Sequence, residues 1–230
     1  MTGAALRLPP LYPIVNVGDA GAQACERAFA LAVELAAAGA TLIQLRAKPL
    51  AGGAMTRLAT RLVAALRGGE ALLIVNDRAD VAAASGAAGV HLGDQDLPVD
   101  AARHLLAATS IGVACIVGYS THSVEEARAA STLAADYLGF GPVFESPTKA
   151  GVREARGLDL LAEACRATTL PVVAIGGVTL ATAPDCWRAG AASVAVISEI
   201  EKSDDRRALV AAYRAAAEIG DRYRFPASDR

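Results

Sequence analysis

Leu72–Asp96, LLIVNDRADVAAASGAAGVHLGDQD, decides how the chain folds. Leu72 to Val75 is an uncharged aliphatic run of strand length that breaks abruptly into Asn76, Asp77 and Arg78, so a buried strand delivers a polar cluster at its C-terminal tip. Asp80 to Gly89 is small and alanine-rich, enough for two or three helical turns. Val90-His91-Leu92 makes a second short strand, and it too ends in acid, at Gly93-Asp94-Gln95-Asp96. Two neighbouring parallel strands that finish this way put Asp77 and Asp96 at one end of a sheet, an arrangement suited to a divalent cation with a charged ligand. Singly, Asp77 also reads as a helix N-cap and Asp96 as the turn into Leu97-Pro98. The shared strand-end position, with Arg78 beside one acid, favours the pair.

Working outward, the whole chain has the composition of an ordinary globular protein. Its 230 residues carry a formal net charge of −2, and 20% are charged, which gives no bias toward nucleic acid or an anionic membrane. Hydrophobic residues make up 53% but aromatics only 4%, so the core is aliphatic, as parallel strands covered by helices require. Cys25, Cys115, Cys165 and Cys186 are scattered and form no CxxC pair, which predicts reduced thiols. Met1 to Pro10 holds a lone Arg7 and no apolar core of signal-peptide length, so a cytoplasmic protein is expected. The uncharged runs 104–124 and 167–184 are interrupted by Gly, Ser, Thr and Pro, and they read as helix end, buried strand and loop rather than membrane spans.

Taken in order, Leu11 to Asn16 reads as a strand and Ala22 to Ala38 as a helix closed by Gly39. Thr41 to Leu45 is a second strand with Arg46 and Lys48 beyond it, and Gly53 to Leu66 a second helix. Pro98 opens a helix at a first-turn position, where its missing N–H costs nothing. Ala114 to Val117 predicts a fifth strand leading into Gly118-Tyr119-Ser120-Thr121-His122-Ser123. Ser123 caps the next helix with Glu126 as its capping-box partner. Asp136 to Phe140, Pro171 to Ile175 and Ser193 to Ile197 complete the strands, with helices from Leu158 and over Arg206 to Ile219. Eight strands in alternation with helices predict a single (β/α)8 TIM barrel spanning 1–230, with flexible ends at 1–10 and 221–230. A doubly wound open sheet is the competitor, but it would concentrate polar loops at one switch point instead of after most strands.

On a barrel the strand C-termini converge, so Arg46, Lys48, Asn76, Asp77, Asp96, Ser120, His122, Thr148, Lys149, Gly177 and Ser198 are expected on one rim. Cations beside two carboxylates suit a metal-bound polyphosphate: acids hold Mg²⁺, and Lys and Arg take the remaining charge. Gly176-Gly177 and Ile197-Ser198 fall where barrels bind phosphate through backbone N–H groups. Two anion sites in one pocket imply two substrates joined there with loss of pyrophosphate. His122 reads either as an acid or base or as a structural hydrogen-bonding residue, and His91, mid-strand, as a satisfied core residue.

These residues carry a resemblance. Gln44-Leu45-Arg46-Ala47-Lys48, Asn76-Asp77-Arg78, Gly89-Val90-His91-Leu92-Gly93 with Asp96, Ser120-Thr121-His122-Ser123, the run from Ala135 to Phe144, Thr148-Lys149 and Ala174-Ile175-Gly176-Gly177-Val178 together resemble the thiamine phosphate synthase family, from about Leu11 to Ile219. The resemblance implies a (β/α)8 barrel that couples hydroxymethylpyrimidine diphosphate to a thiazole phosphate, releasing pyrophosphate with Mg²⁺. It implies that Gln44, Leu45, Arg46, Ala47, Lys48, Asn76, Ser120 and Lys149 contact the pyrimidine diphosphate, Ser120 and Lys149 catalytically. It assigns Asp77 and Asp96 to the metal, and Ser146, Pro147, Thr148, Gly177, Ile197 and Ser198 to the thiazole phosphate. The chemistry it implies is dissociative: the C–O bond to pyrophosphate breaks before the thiazole nitrogen attacks. Its partners are these small molecules, with neither nucleic acid nor membrane, and self-association is left open.

The sequence departs from the family pattern after Phe144, where Glu145-Ser146-Pro147-Thr148-Lys149 stands in place of the usual Pro-Thr-x-Thr-Lys, and at Asp94 in place of Gln. The loop from Glu145 through Gly151 to Leu158 is also similar to the thiazole tautomerases of the same superfamily, which isomerise a thiazole carboxylate phosphate. A non-catalytic binder of thiamine precursors is a third reading. Both metal acids are present, which ranks the synthase first.

Overall fold

The computed structural model describes residues 7–109, 115–145 and 154–221. The predicted alternation is present: β1 (Leu11–Asn16), α1 (Ala22–Ala37), β2 (Leu42–Arg46), α2 (Gly52–Leu66), β3 (Leu72–Asn76), α3 (Ala79–Ser85), β4 (Gly89–Leu92) and α4 (Val99–Thr109). There follow β5 (Ile116–Thr121), α5 (Val124–Ala130), β6 (Tyr137–Phe140), α6 (Gly157–Ala167), β7 (Val172–Ile175), α7 (Ala183–Arg188), β8 (Ser193–Val196), α8 (Ser198–Lys202) and α9 (Arg206–Asp221). The strands close in sequence order into a parallel barrel, with β1 pairing β8 through Leu11↔Val194.

Period-two alternation sorts the strand residues into two cores. Ile43, Leu45, Val75, Val90, Leu138 and Val194 pack outward against the helices, while Tyr12, Ile14, Leu42, Ile74, Ile116, Tyr137, Val173 and Ala195 fill the barrel interior. That double burial is why the strands read as continuous apolar runs. Gly89 permits it locally: a Cβ there would lie 1.9 Å from the Ile116 carbonyl oxygen on the adjoining strand.

Several boundaries differ from the sequence reading. Helix α3 ends at Ser85, because Gly86 takes a left-handed conformation (φ 73°) and closes it after seven residues. Strand β5 runs on to Thr121, so Ser120 lies within the strand rather than in the loop after it. The carbonyl oxygen of Pro98 accepts from Ala102 N, one residue before the helix that it opens. The run to Pro184, read as loop, ends inside α7, whose first turn accommodates the proline. Among the described residues no helix is long and apolar enough to cross a membrane.

Candidate active site

The two acids meet. β3 ends at Asn76, which is buried and in register with His91 of β4. Pairing continues one step further, with Asp77 N donating to the His91 carbonyl oxygen at 2.8 Å, and there the chain turns with Asp77 at φ 66°. A left-handed residue other than glycine is uncommon, and Asp is among the few that adopt it readily. Arg78, not Asp77, is the N-cap of α3, and it forks onto Asp80. Asp77 is therefore free of the capping role considered for it.

Asp96 lies in the turn after β4, where its Oδ2 accepts from Gly93 N at 2.7 Å. That bond fulfils the turn-forming role, yet the same carboxyl lies close enough to Asp77 for the two charges to interact. Burial, and then the adjacent Asp77 charge, hold Asp96 above the usual carboxylate range, against the Gly93 N–H and Lys48, which pull it down. Lys48 Nζ is 3.2 Å from Asp77 Oδ2. Its side chain is 57% exposed, so the pair adds little to stability.

Two facing carboxylates with one flexible cation repel unless a proton or metal joins them. Among the described residues no group of three or more His, Cys, Asp or Glu gathers to hold a metal, which argues against a closed Zn-type cage. Two carboxylates opening onto a polyphosphate suit Mg²⁺, which keeps waters and takes phosphate oxygens to complete its shell. The donor set fits.

Strand β2 supplies the neighbouring cations and a deeper polar group. Arg46 Nη1 donates to Asn16 Oδ1 of β1 at 2.7 Å, which fixes the guanidinium on the rim. Leu45 and Ala47 are buried in the helix-facing core, so only their backbones border the rim. Gln44 is buried inside the barrel and donates through Nε2 to the Tyr12 oxygen at 3.1 Å. Tyr12 lies 3.0 Å from the Tyr137 hydroxyl, Tyr137 lies 3.0 Å from His91 Nδ1, and His91 Nε2 lies 2.8 Å from Ser120 Oγ. His91 is thus satisfied, as its mid-strand position implied, but it is half-buried and tied to the rim rather than part of an apolar core.

His122 has the structural role: its Nδ1 donates to the Gly141 carbonyl oxygen at 2.7 Å, across from β5 to the end of β6. Ser123 Oγ accepts from Glu126 N at 3.1 Å, as the capping box predicts. The returning arm is displaced by one residue, since Glu126 Oε2 accepts from His122 N.

At the far side of the rim, Val143 N and Phe144 N donate to the Ile175 and Gly176 carbonyls, which lays the segment after β6 against the tip of β7. Gly177 adopts φ 64°, and a Cβ there would stand 2.4 Å from the Glu145 carbonyl oxygen. Ile197 is the N-cap of α8 and Ser198 its first residue. Ser146, Pro147, Thr148 and Lys149, expected on this rim, lie outside the described residues.

Sequence reasoning missed Asn16, Tyr12 and Tyr137. The signal was present in period two, since Asn16 and Tyr12 share the parity of Ile14, but aromatic residues in a strand read first as packing. A cavity of about 320 Å³, lined by Pro10, Thr41 and Arg214 among others, opens at the opposite, N-terminal end of the barrel, away from all of these groups.

The family model described as thiamine monophosphate synthase matches residues 11–200. A thiamine-phosphate synthase from Anaeromyxobacter dehalogenans is 47% identical over 218 residues, covering 95% of this chain and 92% of the relative. One from Haloarcula marismortui is 39% identical, covering 91% and 97%. Among solved structures, a thiamine phosphate pyrophosphorylase from Pyrococcus furiosus superposes with a TM-score of 0.77 at 32% identity, covering 91% of this chain and 96% of that one. With the acid pair after β3 and β4, the basic tip of β2 and a match over most of its length, the chain belongs to the thiamine monophosphate synthase family.

Proposed function

We propose that the chain transfers the pyrimidinylmethyl group of hydroxymethylpyrimidine diphosphate to a thiazole phosphate, or to the carboxylate form of that thiazole with loss of CO₂, giving thiamine phosphate and pyrophosphate. The observation that carries this reading is the Asp77–Asp96 pair facing across β3 and β4 beside Lys48. Asp77 and Asp96 would hold Mg²⁺, which when bound neutralises charge on the departing pyrophosphate. Lys48, Arg46 and Asn76 hold the diphosphate from the β2 and β3 side, with Gln44 and Ser120 on the pyrimidine, and Lys149 is a further contact of the pyrimidine diphosphate. The backbone at Leu45 and Ala47 borders the same subsite.

In this reaction the methylene C–O bond breaks with its electrons leaving on pyrophosphate, and the thiazole nitrogen lone pair forms the new C–N bond. No proton need be abstracted at the reacting carbon. Positioning and charge stabilisation therefore carry the rate, which agrees with His122 being committed to Gly141. The thiazole phosphate is assigned to Gly177, Ile197 and Ser198 together with Ser146, Pro147 and Thr148. Free cysteines and small anionic substrates fit a cytoplasmic setting.

Incubating the protein with both substrates and Mg²⁺ is expected to yield thiamine phosphate and pyrophosphate in equal amounts. Isomerisation of a thiazole carboxylate phosphate with no pyrophosphate formed would replace the synthase reading with the tautomerase. Binding of both substrates without turnover would leave only a precursor-binding protein.

A further inference from the structure

Inside the barrel, four hydrogen bonds of 2.8–3.1 Å join five side chains from five strands into one chain that ends at the rim: Gln44, Tyr12, Tyr137, His91 and Ser120. The space for it is made by glycines. A Cβ on Gly118 would stand 2.1 Å from Tyr137 Cζ and 2.6 Å from His91 Nδ1, and one on Gly139 would stand 3.2 Å from His91 Cε1. Glycine weakens a strand interior, so its presence at two positions here marks a close approach. Tyr12 and Tyr137 are completely enclosed, and burial raises both phenols above their ordinary value, so each keeps its single proton.

Proton counting then gives the chain a direction. An amide nitrogen only donates, so Tyr12 accepts from Gln44. If Tyr137 also donated to Tyr12, the Tyr12 proton would be left without an acceptor along this chain in the barrel interior, a buried donor unsatisfied. Tyr12 therefore donates to Tyr137, Tyr137 donates to His91 Nδ1, and the imidazole carries its proton on Nε2 and donates to Ser120 Oγ. The Ser120 hydroxyl, which accepts from His91, keeps its own proton for the pocket.

From this we infer that the Gln44–Tyr12–Tyr137–His91 chain is a one-way positioning device. It makes Ser120 a hydrogen-bond donor toward a substrate atom that presents a lone pair, such as an aromatic ring nitrogen or a phosphate oxygen. His91 and Tyr137 act through Ser120 without touching substrate. The kinetic consequence rests on the proposed role of Ser120 as a substrate contact, whereas the tautomer does not.

Nitrogen NMR of the full chain, labelled at histidine, tests it directly. The neutral Nε2–H form is expected for His91 at neutral pH, and Tyr137→Phe, which keeps the ring but removes the donor to Nδ1, is expected to give a tautomer mixture. An Nδ1–H form or an imidazolium in the unmodified protein, or a spectrum that Tyr137→Phe leaves unchanged, would overturn the inference. In steady-state assays Tyr137→Phe should raise KM for the pyrimidine diphosphate by roughly 3- to 10-fold, the worth of one hydrogen bond, with a smaller change in kcat. His91→Gln, whose amide can still donate to Ser120, should retain more of the wild-type KM than His91→Leu, and equal losses in the two would contradict the donor role. If no coupling is detected at all, the proposed reaction fails while the NMR result still decides the direction of the chain.

Discussion

At the scale of single residues, the site is built on a conflict. Asp96 is held near Asp77 where burial and like charge both oppose its ionisation. Because its folded value lies above the ordinary 3.8, the protonated form is the one favoured by folding. Its contribution to stability is complete below the unfolded value and is lost as the pH rises through the folded one, so at neutral pH the ionised pair works against the fold. Asp96→Asn keeps an oxygen for Gly93 N and removes the repulsion. It is expected to raise the Tm at pH 7 by the equivalent of about 1 kcal/mol or less, the partial exposure of the site limiting the gain, and the difference should close below pH 3.8. Thermal denaturation of both proteins across that range checks it, and a lower Tm for the variant at pH 7 would mean that the pair is not repulsive. The acids themselves were legible from the sequence because each closes a short apolar strand, Asp77 directly after β3 and Asp96 in the turn after β4. The left-handed turn at Asp77 was not, since it depends on the register of β3 against β4, whereas the pairing of the two acids followed from their shared position at strand ends.

At the scale of elements, the strand pattern reads clearly because apolar runs buried on both faces have few alternatives, whereas short helices and loop segments depend on tertiary contacts. Helix α3 stops early at Gly86, α7 spans only six residues around Pro184, and β5 continues through Ser120 because its polar end pairs with β6. The tip of β7 shows how tightly such segments are fixed. Gly177→Ala would place a Cβ against the Glu145 carbonyl in a backbone conformation that L side chains rarely adopt. A loss of about 1–3 kcal/mol is expected from the strain alone, read as a lower denaturant midpoint, and an unchanged midpoint would show that the segment after β6 yields freely. In α7, Cys186 is fully buried, and burial, then Asp185, push its thiol up to about 12. Alkylation of the native protein at pH 8 followed by mass spectrometry should modify the partly exposed Cys25, Cys115 and Cys165 while sparing Cys186. Early labelling of Cys186 would mean that α7 opens readily.

At the scale of the whole molecule, barrel closure is what turns scattered polar residues into a site. Residues as distant in sequence as Asn16, Arg46, Asp77, Asp96 and Ser120 share one rim because all eight strands run parallel and end together. The composition and the strand count make that architecture readable. The interior chain from Gln44 to Ser120 is not readable in the same way, because Tyr12 and Tyr137 lie 125 residues apart and meet only across the closed barrel. The rim chemistry depends above all on Asp77 and Asp96 holding one Mg²⁺ between them and, through it, a pyrophosphate group. Asp77→Asn suits the test because asparagine tolerates the left-handed backbone that Asp77 adopts. Calorimetric titration of pyrophosphate into the wild-type protein and into Asp77→Asn, with and without Mg²⁺, measures that dependence. Wild-type binding that requires Mg²⁺ and weakens by about 100-fold or more in the variant is expected; equal affinity in the two proteins, or wild-type binding indifferent to Mg²⁺, would contradict it.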